Sequence, residues 1–255
     1  MPIIKVNNRD VHIQELNTEA PETILLVHGM FCNLSIYYFR IAPILARNFH
    51  VVMYDLKSHG MSEKITSGYD LDSMTDDMIH LLERLNISSV YLGGYSFGGL
   101  ICLKMAARFP HMVKKLVLID APNPNDDKTR LMMDAYSRES LESYFNGPGQ
   151  KKRGKRLLDR KHRLYEYIFQ ETTIKKDVLQ EREFFSAGEI RRIEHDTLLL
   201  YGAHSPCIGA GENLKEKIRS SALFALNGDH DLPLQEPETI GNMMDMFFRT
   251  QPAQA

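Results

Sequence analysis

Val90-Tyr91-Leu92-Gly93-Gly94-Tyr95-Ser96-Phe97-Gly98-Gly99-Leu100-Ile101-Cys102-Leu103 joins an apolar run to a helical pattern through G-x-S-x-G. The five-residue pattern is common by itself. Its weight comes from context, a strand before it and a helix after it. So sharp a turn tolerates only small residues two positions to either side of the serine, here Gly94 and Gly98. It exposes the hydroxyl at the top of a sheet, and the next helix aims its N-terminus at the same point. The reading predicts Ser96 as a nucleophile.

Working outward, continuous apolar runs recur at residues 23–28, 50–55, 89–92, 115–120, 196–202 and 222–227. Runs apolar at every position suit parallel strands buried on both faces. Residues 3–6 and 10–16 read as a further strand pair at one edge. Helical patterns alternate with the runs, at 36–48, 71–85, 98–109, 211–219 and 237–248. The alternation predicts an α/β fold with a doubly wound, mostly parallel sheet. Sites in such sheets lie at the carboxyl ends of the strands, where His28, Asp55, Ser96 and Asp120 all fall. Between about 123 and 194 no strand-like run occurs. Helices are expected there at 126–145, 157–169 and 176–186, forming a lid above Ser96. The expected organisation is a core in two parts, 1–122 and 195–255, with a helical cap insertion at 123–194.

A length of 255 residues suits one large domain carrying an insertion. The formal net charge of −2 leaves no global field to recruit nucleic acid. No segment approaches the roughly 20 apolar residues of a membrane span. Cys32, Cys102 and Cys207 lack metal-ligand spacing, and an odd number argues against a disulfide scaffold. They read as reduced thiols in a cytoplasmic protein. No metal or cofactor is expected.

A serine nucleophile needs a base that works near neutral pH, which is the range of histidine. Of the 10 histidines, His230 follows the last strand run and stands last in the order Ser…Asp…His. The orienting acid is less obvious. After the strand at 196–202, Ser205 stands where an aspartate is often found, and serine carries no fixed charge to hold an imidazolium. Asp120, at the end of the strand after the nucleophile helix, is the leading alternative. Asp229 and Asp231 remain open. An oxyanion hole needs two backbone N–H groups. Phe97 supplies one expectation and Met30, in the loop after the first buried strand, the other. His28 is expected to hold that loop from below.

These residues resemble the α/β-hydrolase superfamily over essentially the whole chain. The resemblance rests on His28-Gly29-Met30-Phe31, the turn at Ser96, and His230 followed by Glu236-Pro237. Asp55-Leu56-Lys57-Ser58-His59-Gly60-Met61-Ser62 is similar to that family's D-x-R-G-x-G-x-S loop. His59-Gly60 within it looks like the YbfF-type esterases and thioesterases. In that subgroup the acid follows the strand after the elbow, which implies Asp120 in Ile119-Asp120-Ala121-Pro122. His204-Ser205-Pro206 is similar to the subgroup's Asn-Ser-Pro. Lys57-Ser58 and Asp229 depart from it. The resemblance implies an α/β-hydrolase fold with an inserted helical cap. It also implies hydrolysis of a carboxylic ester or thioester with a short to medium acyl group.

Lys151, Lys152, Arg153, Lys155, Arg156, Arg160, Lys161 and Arg163 crowd one part of the expected cap. Such a run is commonly a solvated helix face. Its functional reading is a docking surface for coenzyme A phosphates or an acidic acyl carrier protein. Without interleaved aromatics it is a poor nucleic-acid site. A second enzymatic reading keeps Ser96, Asp120 and His230 but runs a cyclase, lyase or carbon–carbon bond hydrolase reaction. A small-molecule receptor ranks behind both, since fold does not set function.

Overall fold

A computed structural model describes residues 2–123, 155–180 and 188–250. Eight strands form one sheet in the order β1-β2-β4-β3-β5-β6-β7-β8. The strands are β1 Ile3–Val6, β2 Arg9–Leu16, β3 Thr23–Val27, β4 His50–Tyr54, β5 Val90–Tyr95, β6 Val113–Ile119, β7 Thr197–Gly202 and β8 Ser221–Leu226. β1 and β2 pair antiparallel, and β2 meets β4 antiparallel. From β4 to β8 every pairing is parallel. The expected edge pair and doubly wound sheet are therefore present.

Side chains alternate between two cores, as a strand period of two requires. Leu25, Val27, Val52, Leu116, Leu118 and Leu199 face one core. Ile24, Leu26, Val51, Met53, Val117 and Leu200 face the other. The first core is covered by α3 (Leu71–Arg84) and α4 (Phe97–Arg108), the second by α9 (Pro237–Arg249). Asp70 caps α3, its carboxylate accepting the Ser73 N–H at 2.8 Å.

One helix expectation needs correction. Residues 36–48 form two short helices, α1 (Ser35–Tyr38) and α2 (Ile41–Leu45), not one. Pro43 explains the break. It cannot donate to the Phe39 carbonyl four residues back, and its ring would clash with that group. Arg40 accordingly leaves helical geometry, with φ −129° and ψ −53°.

Within the interval expected as a cap, α5 (Lys155–Gln170) and α6 (Ile174–Gln180) are helical. The helix expected at 126–145 lies outside the described residues, as do 181–187 and basic residues 151–153. The described part rests on the core and not apart from it. Ile168, Ile174 and Val178 are buried in the first core. Thr173 N–H donates to Thr66 O at 2.9 Å, and Tyr69 N–H donates to the Asp177 carboxylate at 2.9 Å. Phe31 stacks against Tyr165 and Phe169, with ring centroids 5.6 and 5.2 Å away. No described helix is long and apolar enough to cross a membrane.

The loop after β4 is anchored by Asp55. Its carboxylate accepts the N–H groups of Leu34 and Met61 at 2.8 and 2.9 Å, and faces His12 Nδ1 at 2.6 Å. Beneath the β3 loop, His28 Nδ1–H donates to Gly29 O at 2.7 Å and Nε2 accepts the Leu56 N–H at 3.0 Å. His28 thus ties the two loops together as a neutral imidazole. Burial is the main reason its pKa lies below the ordinary value. His59, with its ring 5.3 Å from His28, is pushed down to about 3, by burial first and by His28 second.

These shifts predict an acid-sensitive fold. Unfolded, both imidazoles take up a proton near pH 6.5; folded, His59 does so only near pH 3. Stability is therefore full above about pH 6.5 and falls as the pH drops below it. For His59 the loss by pH 5 is about 2 kcal/mol. Urea denaturation at pH 7.5 and 5.0 should give a steeper loss for the native chain than for His59→Gln. Equal slopes would show that His59 does not carry the effect.

Candidate active site

Ser96 opens α4 in a backbone conformation that L-residues rarely adopt, φ 51° and ψ −122°. Such a conformation costs on the order of 1–3 kcal/mol and persists only where surroundings impose it. The surroundings are visible. Ser96 N–H donates to Ile119 O at 2.9 Å, tying the turn to β6. A Cβ on Gly98 would lie 2.2 Å from Val27 O, so only glycine lets α4 start this close to β3. A Cβ on Gly29 would lie 2.9 Å from Ser96 Cβ. The β3 loop that carries Met30 thus runs directly beside the serine. Phe97 is the first residue of α4, where an N–H has no carbonyl one turn behind it.

The structure brings Ser96, Asp120 and His230 together from the ends of β5, β6 and the loop after β8. Ser96 Oγ lies 3.1 Å from His230 Nε2, and His230 Nδ1 lies 2.6 Å from Asp120 Oδ2. Because the carboxylate can only accept, Nδ1 carries the proton and the Nε2 lone pair faces the serine hydroxyl. The His230 side chain is 20% exposed and Asp120 is fully buried.

Asp120 is held by more than the histidine. Gly202 N–H donates to Oδ1 at 2.9 Å, and the Ser205 hydroxyl donates to Oδ2. Its own N–H donates to Leu200 O at 2.8 Å, and its φ is 47°. Both carboxylate oxygens of Asp120 thus accept hydrogen bonds. Asp229 and Asp231 take no part in this contact. Asp229 accepts from Asp231 N–H and from Gln235 Nε2, both at 2.8 Å, which closes the turn into α8 (Leu232–Gln235). Burial raises the Asp231 pKa.

Three neighbours carry roles that motif reading does not assign. Tyr95 donates its hydroxyl to His230 O at 2.8 Å, with its ring 5.4 Å from the imidazole. Ser205 enters the sequence reading as a missing charge and in the likeness to Asn-Ser-Pro, and its hydroxyl donates to Asp120 Oδ2. Cys207 Sγ lies 3.8 Å from His230 Nδ1. Only Ser205 had a sequence signal, its place in the slot often held by an aspartate.

The alpha/beta hydrolase fold family model matches residues 22–168. A protein of Mycobacterium phage D29 that bears the name of a non-heme haloperoxidase is 23% identical over 274 residues, covering 97% of this chain and 96% of that protein. The dihydrolipoyllysine-residue acetyltransferase component of the acetoin cleaving system of Pseudomonas putida is 35% identical over 115 residues, 45% of this chain. The match spans only 31% of that component's length. Among solved structures, the esterase EaEST from Exiguobacterium antarcticum is 20% identical with a TM-score of 0.74, covering 97% of this chain and 98% of that one. The enol-lactonase from Burkholderia xenovorans LB400 is 19% identical with a TM-score of 0.72, covering 98% and 100%. At such identities the structural likeness speaks for the fold. The family model covers more than half of the sequence, and the chain belongs to the alpha/beta hydrolase fold family.

Proposed function

We propose that this protein is a serine hydrolase that cleaves a carboxylic ester or thioester through an acyl-enzyme on Ser96. The observation that carries the reading is the unbroken line from Ser96 Oγ through His230 to Asp120, at 3.1 and 2.6 Å. His230 takes the serine proton as Oγ attacks the acyl carbon, and Asp120 stabilises the imidazolium. The N–H groups of Phe97 and Met30 receive the oxyanion. His230 then returns its proton to the leaving alkoxide or thiolate. It next activates a water that releases the acid and restores Ser96. No step calls on a metal or cofactor.

The proposed substrate carries a short to medium acyl group. The support is the likeness to YbfF-type esterases at His59-Gly60 and Ile119-Asp120-Ala121-Pro122. For a coenzyme A or acyl carrier protein substrate, the docking face we assign is the basic run 151–163.

The test is hydrolysis of p-nitrophenyl esters from acetate to long chains, with intact-mass measurement of the quenched enzyme. The expected outcome is turnover with a chain-length optimum and one acyl mass on the peptide containing Ser96. A folded protein with no turnover on any chain and no acyl adduct would overturn the reading.

Ser205→Ala tests the support of Asp120. A hydrogen bond to a charged group contributes about 1.5–3 kcal/mol. Part of that loss should reach the transition state, where His230 is charged. The expected result is a kcat lower by roughly 10-fold or more with KM little changed. An unchanged kcat would remove Ser205 from the site.

A further inference from the structure

Three metal-ligating side chains converge on one side of the imidazole. A carboxylate oxygen of Asp120, Cys207 Sγ and a ring nitrogen of His230 lie within 4.8 Å of one another. Nδ1 is 2.6 Å from Asp120 Oδ2 and 3.8 Å from Cys207 Sγ. A thiolate, an imidazole and a carboxylate form a donor set that zinc accepts in tetrahedral geometry. At zinc's bond lengths, donors stand roughly 3.3–3.6 Å apart. The sulfur–nitrogen separation is close to that, and the His230–Asp120 pair needs to open by less than about 1 Å. Two of the donors are already fixed. Cys207 N–H donates to Ser205 Oγ at 3.0 Å, and Asp120 is held at the end of β6. Asp120 and Cys207 are buried, and His230 is partly exposed.

We propose that Asp120, Cys207 and His230 form an inhibitory site for a thiophilic divalent cation, zinc above all. The proposal rests on the reading of Ser96 and His230 as nucleophile and base. Binding releases the Cys207 thiol proton to solvent and moves the single imidazole proton from Nδ1 to Nε2. No electrons are exchanged. The consequence follows from the tautomer. With Nδ1 on the metal, Nε2 becomes a donor toward Ser96 and has no lone pair to take its proton. Asp120 is drawn off the imidazole in the same step. The cation therefore stops the reaction without occupying the acyl site.

The experiment uses the full chain after chelator treatment, with cadmium as a spectroscopic probe and zinc as inhibitor. Cadmium should produce a thiolate-to-metal charge-transfer band in the native chain and in Cys32→Ala. The band should be lost in both Cys207→Ala and Cys207→Ser, the serine variant guarding against a folding failure. On a p-nitrophenyl ester, zinc should lower the native rate and chelator should restore it. Either Cys207 variant should need at least roughly 10-fold more zinc, each rate being read against its own zinc-free value. A band that survives both Cys207 variants, or no band in the native chain, would overturn the site. So would equal zinc sensitivity in all chains. A Cys207-dependent band in a protein that hydrolyses no ester keeps the metal site and removes the hydrolase. Brisk hydrolysis with no band does the reverse.

Discussion

Ser96→Ala is expected to lower kcat on a p-nitrophenyl ester by about 10,000-fold or more, to the residue of catalysis left by binding and the oxyanion donors. The size follows from the site's construction. His230 has one lone pair aimed at one hydroxyl, so removing that oxygen leaves the base with nothing to activate. The alanine chain should fold and melt much as the native one, because alanine must adopt the same φ of 51°. Ser96→Gly separates the two costs. It should be equally inactive, yet more stable by about 1 kcal/mol or more, since glycine meets no penalty at that φ. Measuring kcat and urea midpoints for all three chains checks both statements. Retained activity in Ser96→Ala would end the role given to Ser96. A glycine chain no more stable than the alanine chain would show that the turn is not strained.

Asp120→Asn is the second large effect, with kcat expected to fall about 10,000-fold. Asparagine fits the same space and can still accept the Gly202 N–H. Its amide nitrogen, however, would face His230 Nδ1, where a donor cannot accept the ring proton. The imidazole is then driven to the tautomer that presents N–H to Ser96. Asp229→Asn and Asp231→Asn should stay within a few-fold of the native rate, because neither carboxylate reaches the ring. A collapse in either of these, with Asp120→Asn active, would reassign the acid.

The outline of the site was legible because its parts lie at strand ends. Buried parallel strands announce themselves as apolar runs, so Ser96 and Asp120 could be placed at the sheet's upper edge before any coordinates. The residues alone leave the acid open. Asp120, Asp229 and Asp231 all lie near the right place in sequence, and only the fold shows that Asp229 is spent on the turn into α8. Ser205 shows another limit. A motif slot reveals which residue is absent, not whether the residue present has found another partner. Cys207 is a third case, since its proximity to His230 depends on how the loop after β7 lies against the one after β8. The α1–α2 break was within reach. Helical periodicity over 36–48 outweighed Pro43, although the proline carried a specific reason to stop.

The pairing of β6 with β7 has a consequence for how this molecule can change. Leu116 to Ile119 lie opposite Thr197 to Leu200, yet the chain leaves the sheet after β6 and returns only for β7. Both ends of that excursion are pinned by the sheet itself. The entropy of closing such a loop rises only logarithmically, by about 0.6 kcal/mol for each doubling of its length. Changing the length of the excursion therefore adds little closure cost, provided that Ile168, Ile174 and Val178 keep their places in the core, while the register holding Asp120 under His230 stays as it is. The Ser96–His230–Asp120 line is thus written into the sheet and can be inherited apart from the detour.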